Sequence, residues 1–350
     1  MMKDSPKRSC LRPWRKWGRS ASSWRELLRG SLVCLGWGMW SVCGGAATAQ
    51  STAAQPQSAA PPSAAPSGSA QTADKISTAI LHRALYESVW GKPAHCVVRQ
   101  SISVFDKRMS GIGEYVRIGG GSGRMKFSLR FSAHDHLNSL LQVCDGRRLM
   151  TIEEFGDQKH LSEVDLERVR NPLVWTTESV RNDPTTSMYL AIGGQAEALR
   201  KLCQQYHWTH LREAKLPVGD VWILSGQLAT TPVVIHGQAP IDLKLNAPNQ
   251  LGLLPTRAEV TVGTQESEVP FWLYSVLQTR TAEELGEQGQ GYALRVSTEW
   301  AEPRLLAEEQ LPAEFFEAPS VSGEHLTDET ELYLPPTPRQ LTAQRLPVNR

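Results

Sequence analysis

Residues 140–155 read LLQVCDGRRLMTIEEF, and the class of the protein turns on how the centre of that stretch is read. A cysteine next to a carboxylate and two arginines has the makings of an activated thiolate, because nearby cations favour the charged form. An apolar run, Asp145-Gly146 and a second partly apolar run is also how a tight β-hairpin is written, with Gly146 supplying the positive φ of a two-residue turn. Val143 and Leu149 flank that turn with strand pattern on both sides, which places Cys144 in a strand and not at a loop mouth. The hairpin is the reading the flanks support.

Working outward, the same period of two recurs. HCVVRQSISVF sets Cys96, Val98, Ile102 and Val104 against Arg99, Ser101 and Ser103, and RMKFSLRF sets Met125, Phe127, Leu129 and Phe131 against Arg124, Lys126, Ser128 and Arg130. Such strands are half-buried, apolar inward and polar outward, as an antiparallel sheet requires. GEYVRI (113–118), SLLQVC (139–144), RLMTIEEF (148–155), VWILSG (221–226), RAEVTV (257–262), FWLYSVLQT (271–279) and YALRVS (292–297) continue the series, so a large sheet, mostly a meander, is predicted.

Helical periodicity is confined to two places. Asp74 is a plausible N-cap for DKISTAILHRALYESVW, where Ile76, Ile80, Ala84 and Val89 fall roughly on one face and Gly91 with Pro93 supplies the stop. In GGQAEALRKLCQQY, Ala196, Leu199, Leu202, Cys203 and Tyr206 share a face that would bury against the apolar side of a sheet.

The ends of the chain have other compositions. Residues 1–49 hold nine Lys/Arg and two Asp/Glu, leaving 28 basic and 34 acidic residues in the remainder, so a basic nucleic-acid surface is not expected. A basic stretch, the uncharged SLVCLGWGMWSVCGG and then Ala47-Thr48-Ala49 read as a secretory signal cleaved before Gln50. The competing reading is an uncleaved inner-membrane anchor, since residues 31–49 carry no charge and about 20 apolar residues can span a bilayer. Residues 50–73 hold only Ala, Pro, Ser, Gln, Thr and one Gly and read as a solvated linker, and 335–350 read as a frayed tail.

The early helix, the strand pair, the Gly-rich turn GGGSGR, and VCDGRRLM followed by a further strand and VDLERV together resemble the LolA-like superfamily of lipoprotein carriers and RseB-like regulators. HWTHLREAKLPVGDVWILSG, LLPTRAEVTV and FWLYSVLQT are similar to that family's later strands, and the resemblance covers residues 74–334. It implies an α+β, mainly β fold: a curved, half-open antiparallel β-barrel covered by helices and enclosing an apolar cavity. Met150 stands where the family usually has Trp, no lid-locking arginine can be matched, and the Arg-Pro element of true carriers is missing. The expected ligand is a lipid or lipoprotein acyl chain, held by Met125, Phe127, Leu129, Phe131, Leu141, Val143, Trp222 and Leu273. The expected location is the periplasm or cell envelope. The alternative is a sensor or scaffold that binds an envelope protein through the same fold.

Catalytic and metal motifs are weak by comparison. GGGSGR lacks the Lys-Ser/Thr ending of a phosphate loop, and Arg124 replaces the glycine that would close a serine-hydrolase elbow at Ser122. His134-Asp135-His136 has no third ligand near in sequence. Cys203 and His207 have the i, i+4 spacing of helical ligands, with His210 beyond, but Cys203 also lies on the apolar stripe. Neither metal, cofactor nor catalytic residue is expected, and the protein is read as non-enzymatic. Cys96, Cys144 and Cys203 remain after the signal, as one disulfide with a free thiol or as three buried thiols.

Overall fold

The alternation in the sequence is realised as one continuous sheet with its helices on a single face. The computed structural model describes residues 68–105, 107–133, 136–170, 187–188, 190–229, 254–285, 292–307, 311–320 and 325–334. The expected signal or anchor, most of the linker, the tail and the His134-Asp135 pair lie outside the described residues.

Helix α1 (Gly68–Trp90) leads into β1 (Ala94–Val104), β2 (Lys107–Arg117), β3 (Met125–Ala133), β4 (His136–Cys144), β5 (Arg148–Phe155) and β6 (Gln158–Asp165). A single turn, α2 (Leu166–Val169), follows, capped by Asp165, whose side chain accepts from the N–H groups of Glu167 and Arg168. Next come α3 (Gly194–Gln205), β7 (Tyr206–Leu216), β8 (Gly219–Leu228), β9 (Arg257–Gly263), β10 (Leu273–Thr281), β11 (Tyr292–Leu305) and a short β12 (Leu326–Asp328).

The strands line up in the order β12-β6-β5-β4-β3-β2-β1-β11-β10-β9-β8-β7. The sheet is a meander whose two halves are joined by β1 against β11, and its edge strands do not pair with each other, so the barrel is half open. One expectation needs correcting: the sheet is mixed, because β12 runs parallel to β6 with Leu326 beside Leu161. A chain returning to the sheet edge after more than a hundred residues is not bound by hairpin geometry, which forces antiparallel pairing only between neighbours in sequence.

Helices α1 and α3 lie on the concave face. The buried stripe of α1 is Ser77, Ile80, Leu81, Ala84, Leu85, Ser88 and Val89, while Ile76, read from the sequence as part of it, is exposed. The helix starts at Gly68, six residues before the Asp74 cap inferred from sequence. Helix α3 buries Ala196, Leu199, Leu202 and Cys203 as its spacing predicts. Two polar pins fix its start: Gly194 N–H donates to Gln142 Oε1 of β4 at 2.9 Å, and Gln195 Nε2 donates to the Leu273 carbonyl of β10 at 3.0 Å.

On the convex face a second, small cluster forms where Phe316 packs on Val116 and Ile118, and Lys126 lies 4.4 Å from the Phe315 ring. The 3-10 turn Ala313–Phe316 thus covers apolar positions that the concave core cannot reach.

Candidate functional site

Strand register decides which of the eight expected lining residues meet. Met125 pairs with Cys144, Phe127 with Gln142, Leu129 with Leu140 and Phe131 with Asn138. All of these are on the concave side, as are Trp222 and Leu273, both opposite Val262. Leu141 and Val143 are the exceptions. They pair with Ser128 and Lys126, the outward positions of β3, and so point to the convex face. Strand β4 is apolar on both faces, with Leu140 and Val143 both buried, so its own pattern does not reveal its parity. The pairing with β3 does.

The concave face is filled. Phe131 and Leu273 are 0% exposed, Met125 and Leu129 are buried, and only Phe127 and Trp222 remain half-buried beside the core, Trp222 with its ring 5.6 Å from that of Phe271. Among the described residues a cavity of about 30 Å³ lies at one end of the sheet, bordered by Met125 and by the last turn of α1. Drug-sized ligand pockets run to roughly 300–1,000 Å³, an order of magnitude more.

The hairpin, the Gly-rich turn and Arg170 meet at that end. The hairpin of residues 140–155 is there, but its two central residues are Gly146-Arg147, closed by Asp145 N–H to the Arg148 carbonyl at 3.3 Å. Gly146 has φ +98° and Asp145 Oδ1 accepts from the N–H groups of Arg147 and Arg148, so positive φ falls on the first central position alone, as in a type II′ turn. The Gly-rich turn packs on α1: Gly121 N–H donates to the Val89 carbonyl at 3.0 Å and Gly120 N–H to the Gly91 carbonyl at 3.2 Å. Donors that could have cradled a phosphate are spent on the open carbonyls of a helix C-terminus. Gly121 is required there, since with φ +69° a Cβ would sit 2.1 Å from the Trp90 ring. Arg170 ties the loops together, donating through Nη1 to the Gly146 carbonyl at 2.8 Å and through Nη2 to the Ser122 carbonyl at 3.0 Å.

Arg117 is the residue that the sequence reading passed over. It follows Tyr115 on the inward parity of β2, pairs with Ala94 and Met125, and is only 4% exposed. Its guanidinium lies 5.1 Å from the Trp272 ring, an arrangement that favours a cation. Its Nε and Nη1 have no hydrogen-bond partner among the described residues. Burial pulls its pKa below the usual guanidinium range, opposed by the charge interactions with Tyr115 and then Glu87. Alternation alone held the signal: an arginine two residues after an inward tyrosine points inward too.

Burial shields the described thiols. Cys96, Cys144 and Cys203 are all free and buried. Burial pushes Cys144 and Cys203 each up to about 12 and Cys96 well above the ordinary range, the Gly146 N–H donated to Cys144 Sγ at 3.4 Å notwithstanding. Thiolate chemistry at residue 144 is therefore disfavoured by desolvation. Helix α3 ends at Gln205, so Cys203 is in the core while His207 and His210 are exposed on β7, and the helical ligand spacing does not form. Among the described residues no three His, Cys, Asp or Glu side chains gather as a metal site, and no helix is long and apolar enough to cross a membrane.

No protein-family model and no curated protein matches the chain. Solved structures similar to it include a DUF1329 family protein from Desulfovibrio piger, 10% identical, covering 70% of this chain and 97% of that one at a TM-score of 0.30. A LolA superfamily protein from Nitrosomonas europaea is 10% identical over 69% of this chain and 97% of that one, with a TM-score of 0.25. The Pseudomonas aeruginosa MucA/MucB complex contains a chain that is 9% identical, with 70% and 64% covered and a TM-score of 0.31. The similar solved structures thus include one bearing the superfamily name to which the sequence motifs point, at levels of likeness that extend to no ligand or partner.

Proposed function

We propose that this chain is an exported, non-enzymatic binding protein that takes a lipid or lipoprotein acyl chain between its helices and the concave face of its sheet. The observation that carries this reading is the concave face itself. Apolar side chains from β1 to β11 form a broad surface roofed by two helices and interrupted by a few polar groups, and the void beside Met125 lies at the end of that surface. Burial of an acyl chain along it would gain roughly 25 cal/mol per Å² of apolar area. Because the face is filled, entry requires α3 to shift. Such a shift would have to break the hydrogen bonds of Gly194 to Gln142 and of Gln195 to the Leu273 carbonyl that hold its start.

Native mass spectrometry of the purified chain and titration with a fluorescent fatty acid test this, with Phe127→Asp as the comparison. Phe127 is half-buried beside the core, so a carboxylate there retains access to water while opposing an acyl chain. The expected result is a folded variant that loses lipid. A folded wild type that neither copurifies with lipid nor binds the probe refutes the reading. The filled core is the observation that favours the second reading, a scaffold for a partner protein, and that result would promote it.

A further inference from the structure

We infer that Arg117 is the anchor of a carboxylate-binding site in the cavity at the end of the sheet. The inference deepens the acyl-chain reading by naming a head group and rests on that reading for the carboxylate's source, while the site itself stands on its own geometry.

Three observations converge. First, Arg117 is buried with two N–H-bearing nitrogens unmatched among the described residues, and a buried donor left unsatisfied is costly enough to ask for an explanation. The acid nearest by charge is Glu87, which is committed to Arg83 at 2.6 Å, and Arg117 forms no ion pair within 4.0 Å among the described residues.

Second, the cavity wall is one-sided in charge. Among the described residues it holds Arg117, Arg124 and Arg170 and no carboxylate. Arg170 spends both terminal nitrogens on backbone carbonyls and Arg124, which is exposed, donates Nε to the Asp145 carbonyl at 3.3 Å, so Arg117 is the buried cation of the three, with two unmatched nitrogens among the described residues.

Third, apart from Ser88, Tyr115 and the glycines, the other described wall residues are apolar: Val89, Met125, Leu190, Ile192 and Ala196. A volume of about 30 Å³ is two or three times the minimum for one water, which suits the two oxygens of a carboxylate and not a tetrahedral phosphate. A planar guanidinium against a planar carboxylate, with apolar wall beyond, is the chemistry of an organic acid whose tail is hydrocarbon.

The test uses the full chain and its Arg117→Met and Arg117→Lys variants, titrated with decanoate, decanol, acetate and inorganic phosphate and read by calorimetry and by ligand-induced shift in Tm. In the wild type, decanoate is expected to bind at least about tenfold more tightly than decanol, because a charge-assisted hydrogen bond is gained. Arg117→Met should abolish that preference, and its ligand-free Tm should equal or exceed that of the wild type, since it removes an unsatisfied buried donor and leaves an apolar side chain of similar reach. Equal affinity for decanoate and decanol in the wild type overturns the site, and needs no variant to fold. A ligand-free Tm that collapses in Arg117→Met but is restored by Arg117→Lys, with the decanoate preference unchanged in the lysine variant, supports the site through its cation. Collapse in both variants with no wild-type preference marks Arg117 as purely structural and overturns it. Phosphate displacing decanoate more effectively than acetate overturns the assignment to carboxylate. Binding of acetate through Arg117 with no binding of decanol keeps the site and removes the acyl-chain reading.

Discussion

Replacing Glu197 with glutamine should cost this fold about 3 kcal/mol, a value that follows from the bonds its carboxylate makes. Glu197 sits in the first turn of α3 and is 1% exposed. Oε2 accepts the Gly193 N–H at 3.0 Å, closing a reciprocal cap with the Glu197 N–H to Gly193 carbonyl bond. Oε1 meets Arg200 Nη2 at 3.3 Å, Lys201 Nζ at 3.2 Å and the hydroxyl of Tyr333 at 3.2 Å. Glutamine keeps the length and one acceptor oxygen but loses the charge. Four contacts lose their anionic acceptor, together worth about 3 kcal/mol, near the lower edge of what breaking a buried ion pair costs. Urea unfolding with unchanged m-value measures it. Tyr333 follows β12, so the same variant should loosen the C-terminal return and expose it to limited proteolysis before global unfolding. A loss below about 1 kcal/mol with unaltered proteolysis would refute the argument, because it would mean the carboxylate is no better placed there than an amide.

Other expectations follow from single positions. Gly120→Ala should cost about 1 kcal/mol, the penalty of an L-residue at φ +59° with nothing within 4 Å, whereas Gly121→Ala should cost about 2 kcal/mol more because Trp90 must move; thermal denaturation separates them. Phe131→Ala should cost about 3–5 kcal/mol and Leu141→Ala, half-buried on the convex face, well under half of that, so equal values would contradict the assigned register. Stability should fall as pH rises from about 9 towards 12. Cys144 and Cys203, each raised to about 12, stay protonated in the fold while the unfolded chain releases those protons near its ordinary thiol value. Each such group lowers stability by up to about 1.4 kcal/mol per pH unit, and Cys144→Ala with Cys203→Ala should flatten the slope measured by urea midpoints under reducing conditions.

How far the sequence could be read depended on whether each strand had two chemically different faces. Strands β1 and β3 do, and their inward residues were legible one by one. Strand β7 shows no such contrast: beyond Tyr206 and Trp208 its side chains are exposed or half-buried, so no alternation marks Tyr206–Leu216 as a strand. Strand β6, QKHLSEVD, buries Leu161, Ser162 and Val164 in a mixed pattern, and the three residues of β12 are too few to show a period. For β4 the difficulty was the opposite. Leu140, Leu141, Val143 and Cys144 are apolar on both parities, and only the pairing of Met125 with Cys144 settles which pair faces the helices. The convex side of β4 can be apolar because Lys126, opposite Val143, lies under the Phe315 ring of a segment far away in sequence. Alternation therefore tells which face must be covered but is silent on how completely.

That silence explains the site as well. A period of two in RMKFSLRF calls for a roof, and the roof proves to be tight: α1 and α3 meet the sheet closely enough that Phe131 and Leu273 lose all contact with solvent. Of the inward polar residues, Gln100 donates to Thr298 at 3.0 Å and Gln142 accepts the Gly194 N–H, while Gln100 and Gln278 each keep one unmatched amide oxygen among the described residues. Arg117 differs in being a cation with two unmatched nitrogens among those residues. Its neighbours on the same row, Ala94, Met125 and Cys144, are apolar and small enough that a methionine would fill its place without an unmatched donor. Burying such a cation costs more than an apolar residue of equal length, so stability alone does not select it. What remains is a role in binding, and the cavity beside its guanidinium is where that role has room to act.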